Sequence, residues 1–272
     1  MNALAGPLLL VGSGKMGTAL LSGWLDHGLG REDVLVVEPA AAGQEAVSAL
    51  GVDVVAGVDD IADNRAFRAV IFAVKPQMMA DVLPAYRDIV ARDALVISIA
   101  AGTAITRFET MFGPATPVVR AMPNTPAAIG KGATALFANP LASDRQRDLA
   151  EALMAAVGEV HWLENEEQMH AITAMSGGGP AYVFLMIETL AQAGIAAGLP
   201  EALAWPMARA TVIGSGALAA ASDEPASVLR KNVTSPGGTT QAALEVLMAD
   251  GGIQPLFDRA IEAGAERSRQ LA

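Results

Sequence analysis

The sequence predicts an α/β protein in two parts. A doubly wound domain is expected over residues 1–164 and an all-helical domain over residues 165–272. Three observations carry this. Short apolar runs alternate with helical stretches through the first part. A glycine-rich loop follows the first apolar run directly and opens a helix. After Glu164 the β signal stops, and every remaining segment has helical periodicity.

The elements follow in order. LLLVG (8–12) precedes a helical pattern that runs to about His27. VLVVE (34–38) precedes AAGQEAVSAL, and AVIFAV (69–74) precedes MMADVLPAYRDIV. LVISIA (95–100) and PVVRAM (117–122) come next. HWL (161–163), after a helical stretch at 145–157, reads as the last strand. The runs are continuously apolar, as in a parallel sheet covered on both faces. The second part contributes AYVFLMIETLAQAG, LAWPMARATVIGSGALAA, the 239–249 stretch and FDRAIEAGAERSRQ, all helical.

Composition narrows the function. The 272 residues are 52% hydrophobic but only 4% aromatic, so the core is built from Ala, Val, Leu, Ile and Met. A net charge of −11 argues against nucleic acid or an anionic membrane as partner. There is no cysteine, which excludes disulfides, thiolate catalysis and cysteine zinc sites. MNALAGPLLLVGSG lacks the basic start and long apolar core of a signal peptide, so a cytoplasmic location is expected. Gln168 to Ile187 carries no formal charge, but Gly177, Gly178, Gly179 and Pro180 interrupt it. Buried helices of an oligomer are the expectation there. His27, His161 and His170 form no metal pattern, and the Glu164–Glu167 cluster reads as a solvated helix start.

The loop Gly12-Ser13-Gly14-Lys15-Met16-Gly17 sits between strand and helix, the context a Rossmann-type dinucleotide site requires. Gly12 permits the tight turn, Gly14 the approach of a pyrophosphate, and Gly17 close helix–strand packing. Glu38, at the end of the second strand, stands where an acidic side chain reads the adenosine ribose. No basic residue occurs from Glu38 to Asn64, so NADH is expected over NADPH, with Lys15 the one nearby cation. Ala73-Val74-Lys75-Pro76 and the loop with Met122, Pro123 and Asn124 lie at carboxyl ends of strands, where this fold binds ligands.

VTSPGGTTQAALEVL (233–247) poses a question. Its later residues suit an amphipathic helix, yet Gly237 and Gly238 stand at its head. Ser235 is expected to cap the helix and Pro236 to occupy its first position. The two glycines then present bare N–H groups fit for a carboxylate. The hydroxyls of Ser235, Thr239 and Thr240 line the same turn.

This stretch resembles the signature of the pyrroline-5-carboxylate reductase family. SGGGPAYVF (176–184) resembles that family's SGSGPAY segment, with Gly178 for the usual serine; AVKP, AMPNTP and VGSGKMG also resemble family motifs. The resemblance spans essentially the whole chain. It implies reduction of 1-pyrroline-5-carboxylate to L-proline with NADPH or NADH, and a helical domain that interlocks in a homodimer, with rings of dimers common. It also implies that Ser235, Gly238 and Thr239 hold the substrate carboxylate and that Thr240 bonds the ring nitrogen. An alternative is a reductase of another cyclic imine carboxylate. A 3-hydroxyacid dehydrogenase would need a lysine at the start of the second domain, and none occurs between Lys131 and Lys231. A silent dinucleotide sensor would keep the 12–17 loop but need no Ser-Pro-Gly-Gly turn.

Overall fold

Four runs, Leu8–Val11 (β1), Val34–Val37 (β2), Ala69–Phe72 (β4) and Leu95–Ser98 (β5), are buried at every position. A strand with no solvent face has no polar alternation, and these sequences show none. The computed structural model describes residues 6–62, 66–90 and 94–272. It joins these runs to Asp53–Val55 (β3), Val118–Met122 (β6), Gly132–Ala138 (β7) and Gly158–Trp162 (β8) in one sheet. The order is β3-β2-β1-β4-β5-β6-β7-β8.

Two strands were not legible beforehand. β3 is three residues long and begins with an aspartate, too little for a pattern. β7 opens on glycine and alternates small residues, so it lacks the bulky apolar run of its neighbours. It also departs from the expected parallel sheet: β6 and β7 pair antiparallel, and β8 then pairs parallel with β7. The cause is connection length. Residues 123–131 between β6 and β7 are fewer than the dozen or so that a parallel crossover needs. Asp144–Ala155 (α6), between β7 and β8, is long enough to make one.

Helices cover both faces, as expected. Lys15–Asp26 (α1) and α6 bury Leu20, Leu21, Trp24, Leu149 and Leu153 on one side. Trp24 Nε1 donates to the Leu153 carbonyl at 2.7 Å and so pins α1 to α6. Met79–Val82 (α3), Arg87–Val90 (α4) and Ile105–Phe112 (α5) close the other side around Phe72, Tyr86 and Phe108. Ala41–Ala49 (α2) links β2 to β3.

The Glu164–Glu167 cluster is not merely a solvated helix start. Glu166 Oε1 accepts from the buried Arg120 guanidinium at 2.6 Å and from the Ile105 N–H at 2.8 Å. Removing one partner of such a pair strands the other charge, which costs more than the pair contributes. Glu167 pairs with Arg269 at 2.7 Å. Next come Gln168–Ile172 (α7) and a π-helical turn, Thr173–Gly177.

The chain packs as two compact units: residues 1–177 with 264–272, and residues 178–263. The sequence division at 164 marks the change from strand to helix, whereas the packing division falls after the π turn. In the first unit His170 Nδ1 meets Ser268 Oγ at 2.9 Å, with both side chains buried. The second unit holds Gly179–Ala196 (α8), Glu201–Ala220 (α9), Ala226–Asn232 (α10), Thr239–Leu247 (α11) and the first turns of Ile253–Gln270 (α12). α8 and α9 pack together, yet Phe184, Leu185 and Ile213 stay more than half exposed. Among the described residues no helix is long and apolar enough to cross a membrane.

Thr134 on β7 is 2% exposed, and its hydroxyl has no hydrogen-bond partner. A buried, unsatisfied hydroxyl costs about 1–3 kcal/mol, and valine has the same shape without it. Thr134→Val is therefore expected to stabilise the protein by about 1 kcal/mol in denaturant unfolding; an unchanged or lower midpoint would contradict this.

Candidate functional sites

β1, β2 and β4 end level with one another. Val11 is in register with Val37 on one side and Phe72 on the other. The residues that follow, Gly12, Glu38 and Ala73, therefore emerge side by side at the carboxyl edge, where the strand order reverses. Their backbone bonds continue the ladder: Gly12 N–H to the Val37 carbonyl, Glu38 N–H to Val55, and Ala73 N–H to Val11.

Gly12 and Gly17 have the backbone geometry expected of them. Gly12 has φ +93°, a conformation open to glycine, and a Cβ there would lie 3.0 Å from Val74 Cγ1. A Cβ at Gly17 would collide with the Gly12 carbonyl and lie 3.3 Å from Ala73 Cβ, so bare backbone lets α1 sit against the loops. A Cβ at Gly14 would meet nothing within 4 Å, so that side of the loop is open. The first helical bond of α1 runs from Thr18 to Gly14. The N–H groups of Lys15, Met16 and Gly17 are left without helical acceptors, a ready donor set for a pyrophosphate.

Glu38 does more than expected. Its Oε2 accepts from the Ser13 N–H at 2.8 Å and from the Ser13 hydroxyl at 3.0 Å, and its Oε1 accepts from the Ala40 N–H at 2.9 Å. Partial burial disfavours the charged carboxylate, but the bonds from Ser13 and Ala40 outweigh it and hold the group below the usual carboxylate range. Ser13 is itself buried. Gly43, in the first turn of α2, makes room for the arrangement: a Cβ there would lie 2.6 Å from Glu38 Cγ and 3.1 Å from Ser13 Oγ. Sequence reasoning missed Gly43, although a glycine three residues into a helix was a usable signal.

Lys75 is exposed where the chain leaves Ala73 and Val74, and Pro76 opens a 3-10 turn after it. Met122, Pro123 and Asn124 follow β6. Asn124 is tied internally: its Oδ1 accepts from the Ala133 N–H at 2.9 Å, and its Nδ2 reaches the Ser176 carbonyl and hydroxyl at 3.3 Å. Its side chain thus braces the loop against β7 and the π turn, a second tie that sequence reasoning missed. The end of the Met122 side chain occupies the space a Cβ at Gly177 would take.

In the second unit, the 235–240 segment differs from expectation in detail. Ser235 is not the cap. Gly238 is, with φ −86° and ψ 173°, and the helix starts at Thr239. Ser235 to Gly238 form a tight turn, closed by the Gly238 N–H on the Ser235 carbonyl at 3.0 Å. Proline second and a glycine of φ +70° third match a type II turn. One glycine is thus demanded by the turn. The other is tight, since a Cβ at Gly238 would lie 3.1 Å from the Ser235 carbonyl oxygen.

The donors shift accordingly. The Gly238 N–H is spent on the turn, and the Gly237 N–H donates to Gln241 Oε1 at 2.8 Å. The first helical bond runs from Ala242 to Gly238. The open donors are therefore the N–H groups of Thr239, Thr240 and Gln241, beside the exposed threonine hydroxyls. A carboxylate suits them, at the positive end of the helix dipole.

Gly43→Ala is expected to weaken dinucleotide binding about tenfold by displacing Glu38 from Ser13, a loss of roughly one charge-assisted hydrogen bond. Fluorescence titration with NADH checks this, and unchanged affinity would show that the contact does not matter.

Known proteins resemble the chain on both units. Residues 166–271 match the family model described as pyrroline-5-carboxylate reductase dimerisation. Residues 8–102 match the one described as NADP oxidoreductase coenzyme F420-dependent. The pyrroline-5-carboxylate reductase of Pseudomonas aeruginosa is 36% identical over 97% of this chain and 96% of its own. A pyrroline-5-carboxylate reductase structure from Coxiella burnetii superposes with a TM-score of 0.91 at 35% identity, covering 98% of this chain and 99% of that one. The pyrroline carboxylate reductase of Plasmodium falciparum, solved with NADP bound, gives a TM-score of 0.81 at 29% identity over 97% of each chain.

Proposed function

The chain belongs to the pyrroline-5-carboxylate reductase family and reduces 1-pyrroline-5-carboxylate to L-proline with a nicotinamide cofactor; we propose that it does so with the residues described above in the following roles. The reading rests above all on the open N–H groups at the head of α11, which offer a small carboxylate anion a seat in a chain of net charge −11.

The dinucleotide lies on the 12–17 loop, its pyrophosphate on the N–H groups at the head of α1. Ala73 to Pro76 and Met122 to Asn124 border the same sheet edge and contact the cofactor through backbone and Lys75. The nicotinamide, when bound, supplies the hydride. Thr239 and the turn Ser235 to Gly238 fix the substrate carboxylate, and the Thr240 hydroxyl orients the ring nitrogen. A protonated cyclic imine is already electrophilic, so holding the ring in place is the main catalytic requirement. No strong base is needed. The enzyme is proposed to work in the cytoplasm as a homodimer through residues 165–272, or as a ring of dimers. The exposed Phe184, Leu185 and Ile213 are the apolar surface such an assembly would bury.

NADH is the proposed preferred cofactor. Glu38 holds a negative charge where a 2′-phosphate would approach, and three N–H or O–H bonds keep it ionised.

Four measurements test these roles. Oxidation of NADH or NADPH with 1-pyrroline-5-carboxylate tests the activity, and no turnover with either would refute it. The ratio of kcat/KM for the two cofactors is expected to favour NADH in the wild type and to narrow in Glu38→Ser; a wild-type ratio favouring NADPH overturns the reading of Glu38. Thr240→Ala is expected to slow turnover about tenfold to a hundredfold with little loss of stability, one transition-state hydrogen bond being about 1–3 kcal/mol. Wild-type kinetics in that variant would remove Thr240 from the site. Light scattering at micromolar concentration is expected to give at least a dimer, and the 27.9 kDa monomer would contradict it.

A further inference from the structure

Gly237 can take φ of either sign at little cost, and Pro236 suits the second position of both common turn types. Type I and type II differ by a flip of the peptide plane between those two residues. The Ser235–Gly238 bond closes either one. Nothing in the turn itself therefore chooses the observed φ of +70°.

A bond from α11 distinguishes the two. The Gly237 N–H, which belongs to the peptide that would flip, donates to Gln241 Oε1 at 2.8 Å. The same amide uses Nε2 to donate to Glu245 Oε1 at 2.9 Å. These bonds fix which way round the amide sits. Reversed, it would set its NH2 against the Gly237 N–H and its oxygen against a carboxylate. The carboxylate one helical turn on thus holds the amide, and the amide holds the peptide.

We propose that Gln241 is a positioning residue for the substrate turn, locking the Pro236–Gly237 peptide in one orientation, and that Glu245 locks Gln241. This rests on the reading that the turn and the head of α11 hold the substrate carboxylate. Flipping the peptide would put a carbonyl oxygen where the N–H now points, and so change the electrostatics beside a bound anion. Gln241 raises affinity for the substrate by removing the flipped state from the free enzyme. Gln241 belongs to the second unit and the dinucleotide loop to the first.

The test is steady-state kinetics on the full chain, with 1-pyrroline-5-carboxylate varied at saturating NADH, alongside NADH titration and thermal melts. Gln241→Ala is expected to raise KM for the imine about tenfold, with kcat within about twofold of wild type, the size of one lost hydrogen bond. NADH affinity and melting temperature stay put. Glu245→Ala raises KM in the same direction by less, while Glu245→Gln, which keeps an acceptor on the same stem, holds KM near wild type. Wild-type KM in Gln241→Ala, when Thr239→Val raises it, overturns the proposal but leaves the carboxylate site standing. Wild-type KM in both variants overturns the site and the proposal together. A KM rise matched by lost NADH affinity or a lowered melt also overturns it, because the bond would then be supporting the unit's stability.

Discussion

Helices cannot satisfy their own first N–H groups, and both anion sites proposed for this acidic chain depend on that constraint. A surface of net charge −11 repels pyrophosphate and carboxylate alike. Lys15 and Lys75 border the first site, and Arg230 and Lys231, at the end of α10, come just before the 233–247 stretch of the second. Backbone donors are common to both. At the head of α1 and at the head of α11 the structure keeps three N–H groups unpaired behind a glycine cap, Gly14 and Gly238 respectively. Both caps lack a side chain that would compete for those donors. The glycine-rich loop and the Ser-Pro-Gly-Gly turn thus end in the same arrangement, open helical N–H groups behind a bare cap.

The fold was legible where burial imposes a pattern. β1, β2, β4 and β5 announce themselves because a strand covered on both faces reads as a near-continuous apolar run. β3 and β7 stayed hidden because short or glycine-led edges carry little pattern, and the reversal at β6–β7 depends on loop length more than on composition. At the 12–17 loop, residue type followed from geometry at two positions: Gly12 for its positive φ and Gly17 for its close approach to the Gly12 carbonyl. At the Ser235–Gly238 turn the same reasoning went part of the way. It found the glycine turn at the helix head but gave the cap to Ser235 and left both glycine N–H groups open. A side chain four residues along the helix had claimed one, and the turn itself the other. Those two partners are local but depend on side-chain and turn geometry, whereas a partner such as Glu166 for Arg120, 46 residues away, is not written in local spacing at all.

Segment 164–177 shows what was least expected. It looked like a solvated helix start followed by an apolar run. Instead Glu166 sits against the buried Arg120 and the head of α5, and Ser176 receives the Asn124 amide. Arg120 and Asn124 flank the end of β6, so this segment grips the strand and its loop at two points. A π turn at Thr173–Gly177 lets the backbone depart from helical spacing where the second grip is made.

The bond between His170 and Ser268 spans 98 residues, and the whole second unit lies between its two ends. The first unit is consequently discontinuous along the chain. As the polypeptide emerges from the ribosome, the dinucleotide sheet can form from its own strands, but the cover over His170 has to wait. Everything from 178 to 263 must be made before Ser268 and Arg269 arrive to meet His170 and Glu167. During that interval a nascent chain has a folded half with an unfinished flank, joined to a half whose apolar helices are still seeking their own contacts. Vulnerability to misassembly in the cell should thus be greatest late in synthesis, and it is set by the order in which residues 168 to 269 are made.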